Sequence, residues 1–257
     1  MLNDDKGTEV ELIRIAGHEQ KKVTDIVAKE IFLNIYVNQE YLVSLNCSPG
    51  NLKYLATGFL FSTGIVKDRK EIISIKEVKK GIYFEINNQK LLSGIISSIN
   101  LISQSNPQIF KKRKLFFLKD EPKIHINTIF LLVSNIQKKA VFFKSSGGVH
   151  SCGLADVNGS ILLFCEDIGR YNTVDRILGE ALFFKNIKID DKVILTSCRI
   201  TSGIIKKIVY ADIPIIISRA AVTDCAIQLA ERQGITLIGF VRGERMNVYT
   251  CSERIIS

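Results

Sequence analysis

Apolar and polar positions follow two different periods along the chain. Residues 30–37, EIFLNIYV, alternate in steps of two and are rich in β-forming side chains. Residues 41–45 resume that alternation after Asn38-Gln39-Glu40, which predicts a hairpin. Residues 1–24 show no firm period and read as a partly exposed lead-in. Ser48-Pro49-Gly50-Asn51 then breaks the pattern. Leu52, Leu55, Ala56, Phe59 and Leu60 recur at helical spacing and predict a helix over 52–62, with Gly64 just past its end. Residues 72–78 and 82–86 flank Lys79-Lys80-Gly81 as a second hairpin. The stretch 90–123 is the least regular and carries Lys111-Lys112-Arg113-Lys114 after Pro107. It is read as a mobile basic segment near 102–123, dividing a smaller α+β part, 1–123, from a larger part, 124–257.

Downstream the two periods interleave. Ile129, Phe130, Val133 and Ile136 predict a helix over 125–138. Asn158-Gly159 lies between apolar runs at 149–157 and 161–164, a strong hairpin signal. Val174, Ile177, Leu178, Ala181 and Leu182 form an amphipathic helical stripe. Short apolar runs at 192–195, 214–218, 236–240 and 246–249 read as buried strands. Between them lie two helices with Thr201 and Thr223 as their expected caps, the second stopping at Gly234. Strands separated by helices predict an α/β fold: a three-layer arrangement of a parallel sheet with helices on both faces.

In such sheets ligands bind beyond the carboxyl ends of the strands. Three loops should meet there, at 196–199, 219–223 and 241–245. They carry Arg199, Arg219, Arg242 and Arg245, with Arg170 nearby, and guanidinium groups bind phosphate bidentately. Ser145-Ser146-Gly147-Gly148 is expected to present free backbone N–H groups to the same anion, with His150 following as a hydrogen-bond donor, a proton relay or a structural residue. Glu166, Asp167 and Asp175 are candidate catalytic carboxylates, but they are expected rather to neutralise Arg170 or Arg199 when no ligand is bound.

Composition narrows the function classes. The 257 residues carry 35 Lys and Arg against 26 Asp and Glu, a formal charge of +9 that suits an anionic partner. There is no Trp and no run of aromatic residues interleaved with basic ones, so nucleic acid is not the expected partner. No apolar run reaches the ~18 residues of a membrane span, and the first residues are acidic, so a cytoplasmic protein without a membrane segment is expected. Six cysteines without a C-x-x-C, and three scattered histidines, predict neither a disulfide framework nor a zinc site.

The segments GGVHSCGLAD, CEDIGRYNTVDRILG, ILTSCRITSGIIKK and PIIISRAAVTDCAIQLAERQGITLIGFVRGERMNVYT occur in order within 145–254. They resemble the FdhD family of formate dehydrogenase accessory proteins, and LNCSPGNLKYLATGFLFSTGIV resembles that family's earlier stretch. The resemblance implies a cytidine-deaminase-like fold for the C-terminal part and a homodimer. It implies that sulfur passes as a persulfide from a cysteine desulfurase to molybdenum bis(guanylyl-molybdopterin), on the way to formate dehydrogenase. It places the guanylyl-molybdopterin site on an F-x-R-x-x-R segment, here Phe240-Val241-Arg242-Gly243-Glu244-Arg245. Zinc deaminase chemistry is not implied, because His150 is followed by Ser151-Cys152 rather than by the x-Glu of a zinc site.

One feature departs from the family. Its sulfur-carrying cysteine precedes the GGxH motif, yet residues 48–151 of this chain contain no cysteine, and 102–107 reads ISQSNP. A serine or asparagine cannot form a persulfide. Either Cys152 or Cys198 takes the role, or the protein binds the cofactor or GDP-like nucleotides without carrying sulfur. Cys165, Cys225 and Cys251 read as structural, and Cys47 lies far from the motifs.

Overall fold

The computed structural model describes residues 6–78, 81–87 and 122–257. The basic run 111–114, the segment 102–107 and Lys79-Lys80 lie outside the described residues. The chain opens on a ribbon of two ten-residue strands, β1 (Gly7–Ala16) and β2 (Glu19–Ala28). This corrects the expected irregular lead-in. The ribbon buries little of either face, so burial leaves no two-residue period in its sequence.

The next strands are β3 (Ile31–Val37), β4 (Glu40–Cys47), β5 (Ile72–Val78) and β6 (Gly81–Ile86), with helix α1 (Leu52–Ser62) after β4. The four strands make one sheet in the order β4-β3-β6-β5. Leu33, Ile35 and Val37 of β3 and Ile82, Phe84 and Ile86 of β6 point to the core, as their alternation requires.

The larger part begins with the short strand β7 (Ile124–His125), then α2 (Ile126–Lys139) and α3 (Val141–Ser146). There follow β8 (His150–Ala155), β9 (Ile161–Asp167), α4 (Arg170–Gly179), a π-helical turn at Glu180–Phe184, and β10 (Val193–Thr196). The chain continues through α5 (Ser202–Tyr210), β11 (Ile215–Ser218), α6 (Asp224–Gln233), β12 (Thr236–Arg242), β13 (Arg245–Thr250) and β14 (Ile255–Ile256), which pairs with β7.

Six strands form the central sheet in the order β13-β12-β11-β10-β8-β9. Only β10, β11 and β12 are mutually parallel; β8, β9 and β13 are antiparallel to their neighbours. The sheet is therefore mixed rather than parallel. The hairpins at Asn158-Gly159 and Gly243-Glu244 join strands without a crossover, which forces antiparallel pairing.

Helices cover both faces. Leu154, Ile194, Ile216 and Leu237 pack with Leu55 of α1, Ile177 of α4, Ile204 of α5 and Ala230 of α6. Val193, Leu195, Ile215 and Ile217 pack on Ile129, Leu132 and Ile136 of α2. The first core also holds Leu33, Ile35 and Phe84 of the four-stranded sheet, so hydrophobic packing is continuous between the two parts of the chain.

Helices α1 and α4 pack against each other without side chains between them at two glycines. A methyl group at Gly58 would sit 1.8 Å from the Asp175 carbonyl oxygen, and one at Gly179 would sit 2.0 Å from that of Tyr54. The helices touch backbone to backbone. This fixes α4, and with it Arg170 at its start.

Candidate anion site at the sheet edge

The carboxyl ends of β10, β11 and β12 share one edge of the sheet. Antiparallel pairing brings His150 at the start of β8, Asp167 at the end of β9 and Arg245 at the start of β13 to that same edge. The three loops that leave it are stitched together by backbone bonds. Ile200 N–H donates to Ala221 O and Thr223 N–H to Ile200 O, each at 3.0 Å. Phe240 N–H donates to Ala220 O at 3.0 Å, and Ser218 Oγ to Cys198 O at 2.7 Å. The starts of α5 and α6 open on this edge, where free N–H groups and the helix dipole favour an anion. Thr223 caps α6 through Ala226 N–H, as expected. Thr201 does not cap α5; its hydroxyl lies 3.0 Å from that of Tyr171.

Arg199, Arg242 and Arg245 are exposed here, and Arg219 is half-buried with its guanidinium on the side chain of Gln137. With the Gln137 amide oxygen turned to accept, its distance to Arg219 Nη1 is 2.6 Å. Arg242 and Arg245 are direct cross-strand partners, an arrangement that disfavours two like charges unless something negative lies between them. Phe240 has φ 53, a left-handed conformation that is unusual for a bulky side chain, at a bulge between Gly239 and Arg242. Val241 points into the core, Gly243 supplies the turn with φ 58, and Glu244 is exposed beside it. Arg170, above Tyr171 with its guanidinium carbon 4.7 Å from the ring centre, has a buried Nε without a hydrogen-bond acceptor.

None of these five arginines has a carboxylate within ion-pair distance among the described residues. This corrects the expectation that Glu166, Asp167 and Asp175 neutralise Arg170 or Arg199. Asp167 instead binds Arg176, with Oδ2 to Nε at 2.7 Å, and accepts from Ser48 N–H, Gly169 N–H and Asn172 Nδ2. Arg176 donates onward to the carbonyls of Ser48, Gly50 and Asn51. Asp175 is held by Lys207 Nζ at 2.8 Å and by Ser62 Oγ at 2.6 Å. Glu166 accepts from Phe142 N–H and Phe143 N–H at the start of α3. All three carboxylates are buried, and they join elements rather than face a ligand.

The diglycine segment also differs from expectation. Ser145 and Ser146 end α3, Gly147 N–H donates to Phe143 O, and Gly148 N–H donates to Ser146 Oγ. The N–H run expected to cradle an anion is thus spent on ending a helix. His150 is half-buried opposite Asp167; burial, reinforced by the field of Arg170, holds its imidazole below the usual range against the opposing pull of Asp167. It is accordingly neutral at neutral pH and can donate from one nitrogen only.

Three thiols pack against one face of the sheet. Cys152 faces Cys165 across β8 and β9, and Thr196 across β8 and β10. Thr196 Oγ1 lies 3.0 Å from Cys198 Sγ. Cys165 Sγ donates to Thr173 O at 3.2 Å. Burial pushes the Cys152 thiol well above its ordinary pKa and that of Cys165 up to about 12. Cys198 is 2% exposed and is also raised by burial, but Thr196 and the Arg170 charge pull it back. Cys47 is buried and pushed up to about 12. Cys225, in the first turn of α6, is the only exposed cysteine among the described residues, a position its sequence context did not reveal.

Among the described residues no cluster of three or more His, Cys, Asp or Glu side chains is arranged to hold a metal, and no helix is long and apolar enough to cross a membrane. Hollows of about 410 and 400 Å³, sharing Phe61, Lys67 and Leu182, lie near the amino ends of β10 and β11, at the opposite edge from the arginines.

A family model described as the FdhD/NarQ family matches residues 28–256. The sulfur carrier protein FdhD of Saccharolobus solfataricus is 34% identical over 251 residues, covering 95% of this chain and 96% of that protein. The protein of the same name from Bacillus subtilis is 33% identical over 264 residues, covering 98% and 99%. A crystal structure of a formate dehydrogenase accessory protein from Desulfotalea psychrophila superposes with a TM-score of 0.79 at 26% identity, covering 97% of this chain and 99% of that one.

Proposed function

Because the chain belongs to the FdhD/NarQ family, we propose that it is a formate dehydrogenase accessory protein that holds molybdenum bis(guanylyl-molybdopterin) along the arginine edge and passes it sulfur drawn from a cysteine desulfurase. The observation that carries the binding half is the set of guanidinium groups at one sheet edge that have no carboxylate partner among the described residues. A pyrophosphate between Arg242 and Arg245 removes their cross-strand repulsion and gains charge-assisted hydrogen bonds. The ring of Phe240, with the Arg242 guanidinium 6.0 Å from its centre, offers a flat surface beside that position on which a guanine can stack. The names of the relatives, sulfur carrier and formate dehydrogenase accessory protein, support the other half. On this reading the larger part is a cytidine-deaminase-like unit and the protein works as a cytoplasmic homodimer.

Calorimetric titration with GDP tests the clamp. The Arg242→Ala/Arg245→Ala variant should bind at least about tenfold more weakly than the native chain, because two charge-assisted contacts are removed. Equal affinities would dismiss the site. The burial of Cys152 and Cys198 favours a second reading, a chaperone that binds the cofactor without persulfide chemistry. Sulfur loading of the purified protein separates the two readings.

A further inference from the structure

Sulfur arrives from a persulfide as sulfane sulfur and must leave for a metal centre at the oxidation level of sulfide. That change needs two electrons, and a single thiol cannot supply them while remaining a thiol. Cys152 and Cys198 lie on the same face of the sheet, on either side of Thr196, whose cross-strand partner is Cys152 and whose hydroxyl is 3.0 Å from Cys198 Sγ. Among the described residues the buried Arg170 Nε has no acceptor, an unmet donor that calls for an anion, and the Arg170 charge is felt at Cys198. We propose that Cys198 receives the sulfur and Cys152 resolves it, so that the pair releases sulfide beside the arginine edge. The inference rests on the sulfur-carrying half of the proposed function.

The steps balance. The Cys198 thiolate attacks the outer sulfur of a donor persulfide; the donor S–S bond breaks and the donor thiolate leaves. Cys152 then attacks the inner sulfur of the Cys198 persulfide. The outer sulfur leaves as hydrosulfide with the Cys152 proton, and a Cys152–Cys198 disulfide remains. The two electrons that reduce the sulfane sulfur come from this pair, and a dithiol reductant restores both thiols. Cys198 lies just past the end of β10, in the loop at the arginine edge, whereas Cys152 lies inside β8, and this placement sets the order of attack; the Thr196 hydroxyl and the Arg170 charge also favour ionisation at Cys198. Arg170 Nε is the donor available to the outer sulfur while it is anionic. Cys165, on the far side of Cys152, has no part.

The test uses the full-length, reduced protein and cysteine persulfide, a donor small enough for a thiol that is 2% exposed. Peptide-resolved mass spectrometry follows the sulfur, and a hydrosulfide assay follows its release. The native chain should yield hydrosulfide and a Cys152–Cys198 crosslink in equal amounts. Cys152→Ser should load Cys198 and release hydrosulfide at least about tenfold more slowly. Cys198→Ser and Cys198→Ala should not load, and Cys165→Ser should behave as the native chain. Circular dichroism establishes that each variant is folded. Sulfur found on Cys225, release unchanged in folded Cys152→Ser, or no loading of the native chain would overturn the pairing. GDP binding is measured on the same samples, so an intact affinity with no loading removes the dithiol and leaves the cofactor site standing.

Discussion

Replacing Arg176 with methionine is expected to lower the free energy of unfolding by about 3–5 kcal/mol, the usual cost of breaking a buried ion pair from one side. Methionine preserves most of the apolar stem, so the loss reports the guanidinium. Asp167 is fully buried and would keep only its bonds from Ser48, Gly169 and Asn172. The carbonyls of Ser48 and Gly50 would lose their donor at the same time, although they lie about 126–128 residues away in sequence. Chemical denaturation measures the change. Asp167→Asn with Arg176→Met should cost less than the sum of the single changes, because the second no longer strands a charge. A loss below about 1 kcal/mol for Arg176→Met would mean that the loop at 48–51 is held by other contacts.

Gly58→Ala should destabilise the protein by about 3 kcal/mol, the upper range for overpacking, in spite of the better helix propensity of alanine. The propensity term alone favours the variant by about 1 kcal/mol, so the sign is informative. The added methyl meets the Asp175 carbonyl, which is backbone and cannot rotate away, so α1 and α4 must part. Asp175 would then be drawn from Ser62, and Arg170 would shift with its helix. A thermal melt decides the matter: a midpoint equal to or above that of the native chain would show that the helices slide apart without strain. Gly179→Ala, which meets the Tyr54 carbonyl from the other side, should act alike.

Regular burial made much of this fold legible from sequence. The helix over 52–62 and the strands of the central sheet all turn one face or both to a core, and their apolar spacing says so. Asn158-Gly159 marked the hairpin because Gly159 supplies the positive φ of a loop from Asp156 to Ser160 that the Asp156 carboxylate ties together. The β1–β2 ribbon was hidden because it faces no core, so nothing imposes a two-residue period on its sequence. The helices between β10, β11 and β12 signal parallel strands, but the tight turns before β9 and β13 impose antiparallel pairing that this signal does not show. The arginines could be assigned to one edge because the carboxyl-end rule depends on topology rather than on distance. The partners of the acidic residues could not be read, since they depend on contacts across more than a hundred residues, as between Asp167 and Ser48. Gly147 and Gly148 misled for a related reason: the signature of an anion cradle is also that of a helix end.

The backbone bonds that tie the loops after β10 and β11 to β12 bear on how a ligand is met. A surface finished before its guest arrives loses little freedom on contact, so encounter rather than rearrangement sets the pace. If the arginine rim binds a diphosphate as proposed, its long-range pull should make capture fast in dilute buffer and slower as ions accumulate, with escape governed by contacts at close range.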